Sequence, residues 1–477
     1  MRRHFRWSMV SFTVLALVVA ALPASADHST RPHTRNMVAL GHSPHPATFN
    51  VPDGQRKISS DLAFWGNLAF QGNYDGFRII DITEPGDPQL LSWTHCNGDQ
   101  GDIVVWENIL VRAWNSKKTT ARDCDGTIVP AGVEGVHVFD ITNRADPSVL
   151  TFLPLACGSH TLTLAGVSGP NLIVYSNNSS SAGCVDGTRA NDDPVGDFMD
   201  IIQIPLDAPQ NATLLRREPL AGPQANVRTG CHDAGVIRGS VNLAACASAD
   251  TVNVWDIGAN ATPGGSLEDP ELLYTITELG VGDLTQGSGR WHSAAFTWDG
   301  KVLVMGWEPG GGSEPRCTQT GTTVPDPPGP PVTQTDTHKS MFFYDAATGA
   351  KLGTWVLPRP QGLDENCTIH NYNVVPLRGG RYVAVSGNYQ AGTWATHFTD
   401  PAGATTLAWS DPPSLGPGPF CDGQCQLGGA WSSYWYNNFI YESDITKGLS
   451  VFRLADRVTA GAVVLDHLNP QTLESSL

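Results

Sequence analysis

A ten-residue pattern recurs along the chain. One copy reads Gly-Phe-Arg-Ile-Ile-Asp-Ile-Thr-Glu-Pro from Gly76 to Pro85, and another reads Gly-Val-His-Val-Phe-Asp-Ile-Thr-Asn-Arg from Gly135 to Arg144. Aligned on the acidic position, the copies give Asp81, Asp140, Asp256 and Asp345, while Gln203, His397 and Arg453 hold that place in weaker copies. Seven copies spaced 52 to 89 residues apart are too far separated for a solenoid of helix pairs and suit a four-stranded blade with generous loops. The sequence therefore predicts an all-β fold, a seven-bladed β-propeller of four-stranded antiparallel blades, over residues 57–470.

Strand signals come in a constant order around each repeat. The first blade shows them at 61–65, 68–72, 77–82 and 89–93, and the third is alternating and β-branched, as a strand covered on both faces requires. A proline precedes the fourth strand in Asp87-Pro88, Asp146-Pro147 and Asp269-Pro270, at a strand entrance where a missing ladder donor is tolerated. The recurrent aspartate reads as structural, its carboxylate accepting from turn amides two or three residues on. Between Glu308 and His338 a Gly/Pro/Thr-rich insertion accounts for the longest interval.

The ends are read separately. Arg2, Arg3 and Arg6 precede an apolar run, and Ala24-Ser25-Ala26 has the small residues of a cleavage site, so 1–26 is expected to be a signal peptide. Arg2-Arg3 also resembles the start of a twin-arginine signal, which leaves the export route open. Residues 27–56 form a polar lead-in, with 36–40 a candidate ring-closing strand, and 471–477 a short tail. No later run is apolar enough to anchor the chain, so it is expected to be secreted, with retention at the cell surface open. The net charge of −17 becomes more negative when three arginines leave with the signal, which disfavours nucleic acid as a partner. The expected partner is a small molecule or an extracellular protein, and the expected state is a monomer.

Ten cysteines in an exported chain read as disulfides. Order along the chain suggests Cys96–Cys124, Cys157–Cys184, Cys231–Cys246, Cys317–Cys367 and Cys421–Cys425. A zinc reading of Cys421 and Cys425 lacks a second close pair. The acid- and glycine-rich stretches 97–102 and 191–200 lack the Asp-x-Asp-x-Asp-Gly spacing of a calcium loop and read as solvated.

With Phe77–Ile82, Val136–Ile141 and Val252–Ile257 in view, the chain resembles the exported bacterial propellers named for their LVIVD repeat. The likeness covers nearly all of the mature chain. It implies a β-propeller at or beyond the cell surface, and supplies neither a settled activity nor catalytic residues.

Chemistry is sought where the innermost strands begin. Four successive blades start with histidine, at Ser159-His160, Cys231-His232, Trp291-His292 and Ile369-His370, and the matching places elsewhere are Asp61, Asp102 and Ser432. Innermost strands begin near one mouth of the central channel, so these imidazoles are candidates to converge. Imidazole nitrogen suits copper, iron or zinc, and His160, His232, His292 and His370 form the proposed ligand set. Asp233, Arg290, Asp364 and Glu365 are candidates to orient them or to bind an anionic substrate. The rival reading has each histidine hydrogen-bonding inside its own blade. Three functions remain open at this point: a ligand- or protein-binding scaffold, a metal-dependent oxidoreductase or oxygenase, and a structural envelope protein.

Overall fold

The computed structural model describes residues 31–45, 58–98, 100–114, 118–178, 198–221, 230–248, 251–258, 264–277, 290–308, 323–324, 332–333, 339–359, 361, 365–366, 368–412, 428–474 and 477. The expected signal peptide and the expected bonds of Cys184, Cys317, Cys367, Cys421 and Cys425 lie outside them.

The chain folds as an all-β propeller of antiparallel meanders. The first contains Ser59–Trp65, Leu68–Asn73, Gly76–Asp81 and Gln89–His95; the second contains Ile103–Trp106, Ile109–Trp114, Gly135–Asp140 and Ser148–Pro154. The third runs from Thr161–Ser168 through Asn171–Asn177 and Phe198–Pro205 to Thr213–Pro219, and the fourth from Asp233–Ile237 through Leu243–Ala247 and Val252–Asp256 to Glu271–Ile276. The fifth contains Arg290–Phe296, Val302–Glu308, Ser340–Asp345 and Lys351–Val356. Beyond it the hydrogen bonding departs from seven separate sheets. A single eight-stranded sheet carries Asn371–Val374, Val383–Gly387, Thr393–His397 and Thr405–Ser410 in one half, and Ala430–Tyr436, Phe439–Asp444, Gly448–Leu454 and Met37–Pro44 in the other. The halves join through one parallel pair, Asn371 with Ser432, at the start of their inner strands.

The innermost strands touch one another in a closed cycle. Ser59–Trp65 packs on Ile103–Trp106, the contact passes in turn to Thr161–Ser168, Asp233–Ile237, Arg290–Phe296 and Asn371–Val374, and Ala430–Tyr436 closes back on Ser59–Trp65. Apolar side chains fill the gaps between neighbouring sheets. Ala63, Phe70, Phe77 and Ile79 meet Ile103, Val105 and Leu110 between the first two, and Ile173, Tyr175 and Ile201 meet Val236, Ala244 and Trp255 between the third and fourth. Burial falls outward: Gly76–Asp81 is nearly wholly buried, whereas Leu90, Leu91, Leu272 and Leu273 on outer strands are exposed. The repeated aspartates cap turns, Asp81 accepting from the Thr83 amide at 2.8 Å, Asp140 from Thr142 at 2.8 Å and Asp256 from Gly258 at 2.9 Å.

Register shifts recur between the third and fourth strands, at Ile79/Ile80, Val138/Phe139, Ile201/Ile202, Val254/Trp255, Phe343/Tyr344 and Ala395/Thr396. An extra residue on one side of an antiparallel pair raises its twist. These bulges thus give six of the meanders the same late increase in twist.

Two segments from outside the repeats fasten the ring. Met37–Pro44 pairs antiparallel with Gly448–Leu454, and Arg31, ahead of it, donates to Glu442 at 2.8 Å and Asp444 at 3.1 Å with all three side chains buried. Replacing Arg31 by methionine leaves two buried carboxylates without their cation. It is expected to cost about 3–5 kcal/mol in urea denaturation, and a loss below about 1 kcal/mol would show that the pair contributes little.

The second fastener is the strap 467–473, expected from sequence to be part of a blade and a polar tail. His467–Leu468 adds to Ser59–Trp65, and Thr472–Leu473 pairs parallel with Asp233–Ile237. Between them Asn469 exchanges hydrogen bonds with the Val105 backbone at 2.8 and 3.0 Å, and Thr472 Oγ1 donates to Leu164 O at 2.7 Å. The strap therefore bonds the inner strands of four consecutive sheets, away from the ends at which those strands begin.

Among the described cysteines, Cys96 is bonded to Cys124 and Cys231 to Cys246, and Cys157 is also oxidised. No described helix is long and apolar enough to cross a membrane.

Candidate metal centre

Each histidine of the arc sits at or near the start of an inner strand. The His160 amide donates to Asn177 O at 2.7 Å, and the His232 amide donates to Ala247 O at 2.8 Å. The His370 amide reaches Asn388 Oδ1 at 3.3 Å. His292 lies in a register shift between Trp291 and Ala294, the kind of bulge that re-aims a side chain out of the strand's alternation. The four imidazoles stand side by side. Ring centroids are 4.4 Å apart for His160–His232, 4.1 Å for His232–His292 and 4.3 Å for His292–His370.

Their nitrogens are held in place from behind. His232 Nδ1 meets the His292 carbonyl at 3.0 Å, so Nδ1 carries the proton and the Nε2 lone pair faces His160 Nε2 at 3.0 Å. His370 Nδ1 meets the Trp431 carbonyl at 2.5 Å, which leaves its Nε2 to accept from the Tyr389 hydroxyl at 2.6 Å. Burial, then the neighbouring His292, pushes His370 well below the usual histidine range, so it is neutral at pH 7. A carbonyl bond that fixes the tautomer and presents the other nitrogen is the usual support of a metal-ligating histidine.

Glu308 completes the cluster. It ends the strand Val302–Glu308, which pairs with Arg290–Phe296 so that Glu308 lies opposite Arg290, at the mouth where His292 begins. Its Oε2 is 3.8 Å from His292 Nε2 and its Oε1 is 3.4 Å from the Tyr389 hydroxyl. One donor atom from each of His232, His292 and Glu308 lies within 4.8 Å of the others, and all three residues are buried. A metal held about 2.0–2.2 Å from each ligand requires donors no more than about 4.4 Å apart, close to this arrangement.

Sequence reasoning missed Glu308 and Tyr389. Glu308 closes the second strand of its meander and Tyr389 lies two residues past the second strand of the next, and in each case the hairpin returns the chain to the mouth where the first strand starts; an acid closing the apolar run Val-Leu-Val-Met-Gly-Trp-Glu was the available signal. Tyr389 adopts φ +47°, a left-handed conformation that costs a tyrosine energy and clusters at functional sites.

The other expected residues fall in different places. Glu365 accepts from Arg359 at 3.0 and 2.6 Å, and Arg359 also reaches Asp411, so this carboxylate belongs to an ion-pair network. Asp364 lies outside the described residues, as does the Arg290 side chain. Asp233 is buried beside His232, near the Ala234 amide and the Thr161 hydroxyl, which donates to the His232 carbonyl at 2.7 Å. Asp102, placed by the sequence in a solvated loop, is also buried and accepts from the amides of Ile103 at 2.8 Å and Leu162 at 2.6 Å. Cys96, Cys124 and His137 form a second close group, but both sulfurs are spent in their disulfide.

No protein-family model matches the chain, and no curated protein matches it. Among solved structures, it aligns with a chain of the structure titled "Crystal Structure of Mitotic Checkpoint Complex" over 94% of this chain and 100% of that one, at 13% identity and a TM-score of 0.43. Nothing about ligands or partners transfers at that distance.

Proposed function

We propose that this chain is an exported, seven-bladed propeller of the LVIVD-repeat kind that binds a transition metal at one mouth of its channel, with metal-dependent oxidoreductase or oxygenase chemistry as its activity. The cycle of seven inner strands supports a reading of seven blades, with the eight-stranded sheet taken as two blades that share one bridging pair. The observation that carries the metal reading is the convergence of His232, His292 and Glu308 on one buried point. Two imidazoles and one carboxylate are the donor set of non-haem iron(II) oxygenases and also of some zinc enzymes. His160, 3.0 Å from His232, is positioned to be a further ligand. His370 is engaged through both nitrogens, with the Trp431 carbonyl and the Tyr389 hydroxyl, and beside a bound metal this pair would hold or pass a proton. A bound metal would supply Lewis acidity or oxygen activation, and this chain's residues supply the dry, rigid pocket around it.

A second reading has support of its own. His232 and His370 each bridge to a backbone carbonyl of the next blade, which would suffice for a structural role in a ligand- or protein-binding scaffold. Elemental analysis separates the two. Protein purified through its export route is expected to carry near one equivalent of iron, copper or zinc per chain, lost in His232→Ala/His292→Ala while circular dichroism stays native. Wild type that is metal-free and takes up none of the three on titration would leave the scaffold reading.

A further inference from the structure

One residue further along two of the inner strands, histidine gives way to oxygen donors: Asp233 follows His232 and Asn371 follows His370. With them stand Asp61 and Asp102, from the starts of the first two inner strands. All four are buried, the three aspartates at 2 to 4% exposure and Asn371 at 4%. Asp61 Oδ2 accepts from Gln471 of the strap at 3.0 Å and from Asn371 Nδ2 at 3.2 Å, and its Oδ1 accepts from the Leu62 amide at 2.9 Å. The partners of Asp102 are the amides of Ile103 and Leu162, and the groups beside Asp233 are the Ala234 amide and the Thr161 hydroxyl. Every donor to these carboxylates is neutral. No described lysine, arginine or histidine pairs with any of them, and Asp102 lies near enough to Asp61 and Asp233 to feel the charge of both.

Two acceptors in this group are unused. Asp233 Oδ1 and Asn371 Oδ1 have no hydrogen-bond partner. The orientation of Asn371 follows from its bond to Asp61, since turning the amide would set its oxygen against a carboxylate. Its carbonyl oxygen therefore stays unpartnered next to the acids, and a buried oxygen with nothing to accept from calls for a donor or a cation.

We propose that Asp61, Asp102, Asp233 and Asn371 hold a calcium-like divalent cation inside the channel, between the histidine mouth and the strap. An all-oxygen set suits a hard cation and is a poor match to copper or zinc. Calcium, whose coordination is large and flexible and accepts bridging waters, suits such a set better than magnesium, which demands near-ideal octahedral geometry. Gln471, which also contacts the Tyr434 hydroxyl at 3.2 Å, closes the site from the strap side.

The test uses the full chain after chelator treatment, with calcium as the probe in equilibrium dialysis and thermal melting. Near one calcium per chain is expected, with a rise of several degrees in the melting midpoint. Asp102→Asn/Asp233→Asn is expected to weaken calcium binding at least tenfold and to melt no lower than calcium-free wild type, because buried repulsion is removed. Asn371→Asp provides a second variant: with a cation it binds calcium more tightly, and without one it only destabilises the fold. His232→Ala/His292→Ala is expected to keep calcium while losing the transition metal, so the two sites fail separately. The proposal is overturned if wild type binds no calcium at millimolar concentration, or if calcium is lost with the histidines and kept without the aspartates.

Discussion

Deletion of residues 467–477 is expected to cost on the order of 5 kcal/mol or more, a large part of the 5–15 kcal/mol that holds an ordinary domain folded. The strap buries Leu468 and Leu473 almost completely, and each such side chain contributes about 1.5–3 kcal/mol. It also supplies carbonyl partners to inner strands, Gln471 O to the Val236 amide at 2.8 Å and Leu473 O to the Arg238 amide at 2.7 Å. Asp61 would lose the Gln471 donor as well. The Leu477 amide extends the strap's reach to Trp298 O at 3.2 Å, on the fifth meander. Urea denaturation and limited proteolysis measure the effect. Unchanged stability, with no new cleavage near Val105 or Val236, would mean that the strap merely rests on the ring.

Glu308→Gln is expected to weaken iron or zinc binding at least about 100-fold and leave the fold intact. Changing residues that only support metal ligands costs about 10–100-fold, so loss of a direct carboxylate ligand belongs at or above that range. The amide keeps the volume and can still bond Tyr389, but it brings no negative charge to the imidazoles. Competition with a chromophoric chelator gives the affinity, and a thermal melt of the metal-free proteins gives the control. Equal affinities for wild type and variant would remove Glu308 from the ligand set and return the cluster to three or four histidines.

The repeated strand with its turn-capping aspartate made the propeller legible, because strand period and turn chemistry are local. Neighbouring histidines were legible for a related reason. In a ring of equivalent repeats, the same place in each repeat is the same place in space, so His160, His232, His292 and His370 had to lie along one arc. What escaped depends on pairing. Glu308 and Tyr389 reach the mouth only because a hairpin folds back, and Asp102 is buried only because the Leu162 amide of the next meander meets it. The strap's strands are two residues each, too short for any periodicity, and its contacts lie some hundreds of residues away in sequence. Seven separate sheets were expected because nothing local signals the Asn371–Ser432 bridge.

The strand Met37–Pro44 has a kinetic consequence. Its partner Gly448–Leu454 emerges only after all the intervening meanders, and Arg31 meets Glu442 across 411 residues. Until then one strand has open backbone donors and acceptors, and when its partner is made, that strand is briefly an open edge too. Edges of this kind recruit strands from other chains. Incomplete chains should therefore be the sticky species, and a chain that has closed this seam should be slow to open, since parting it exposes both edges at once.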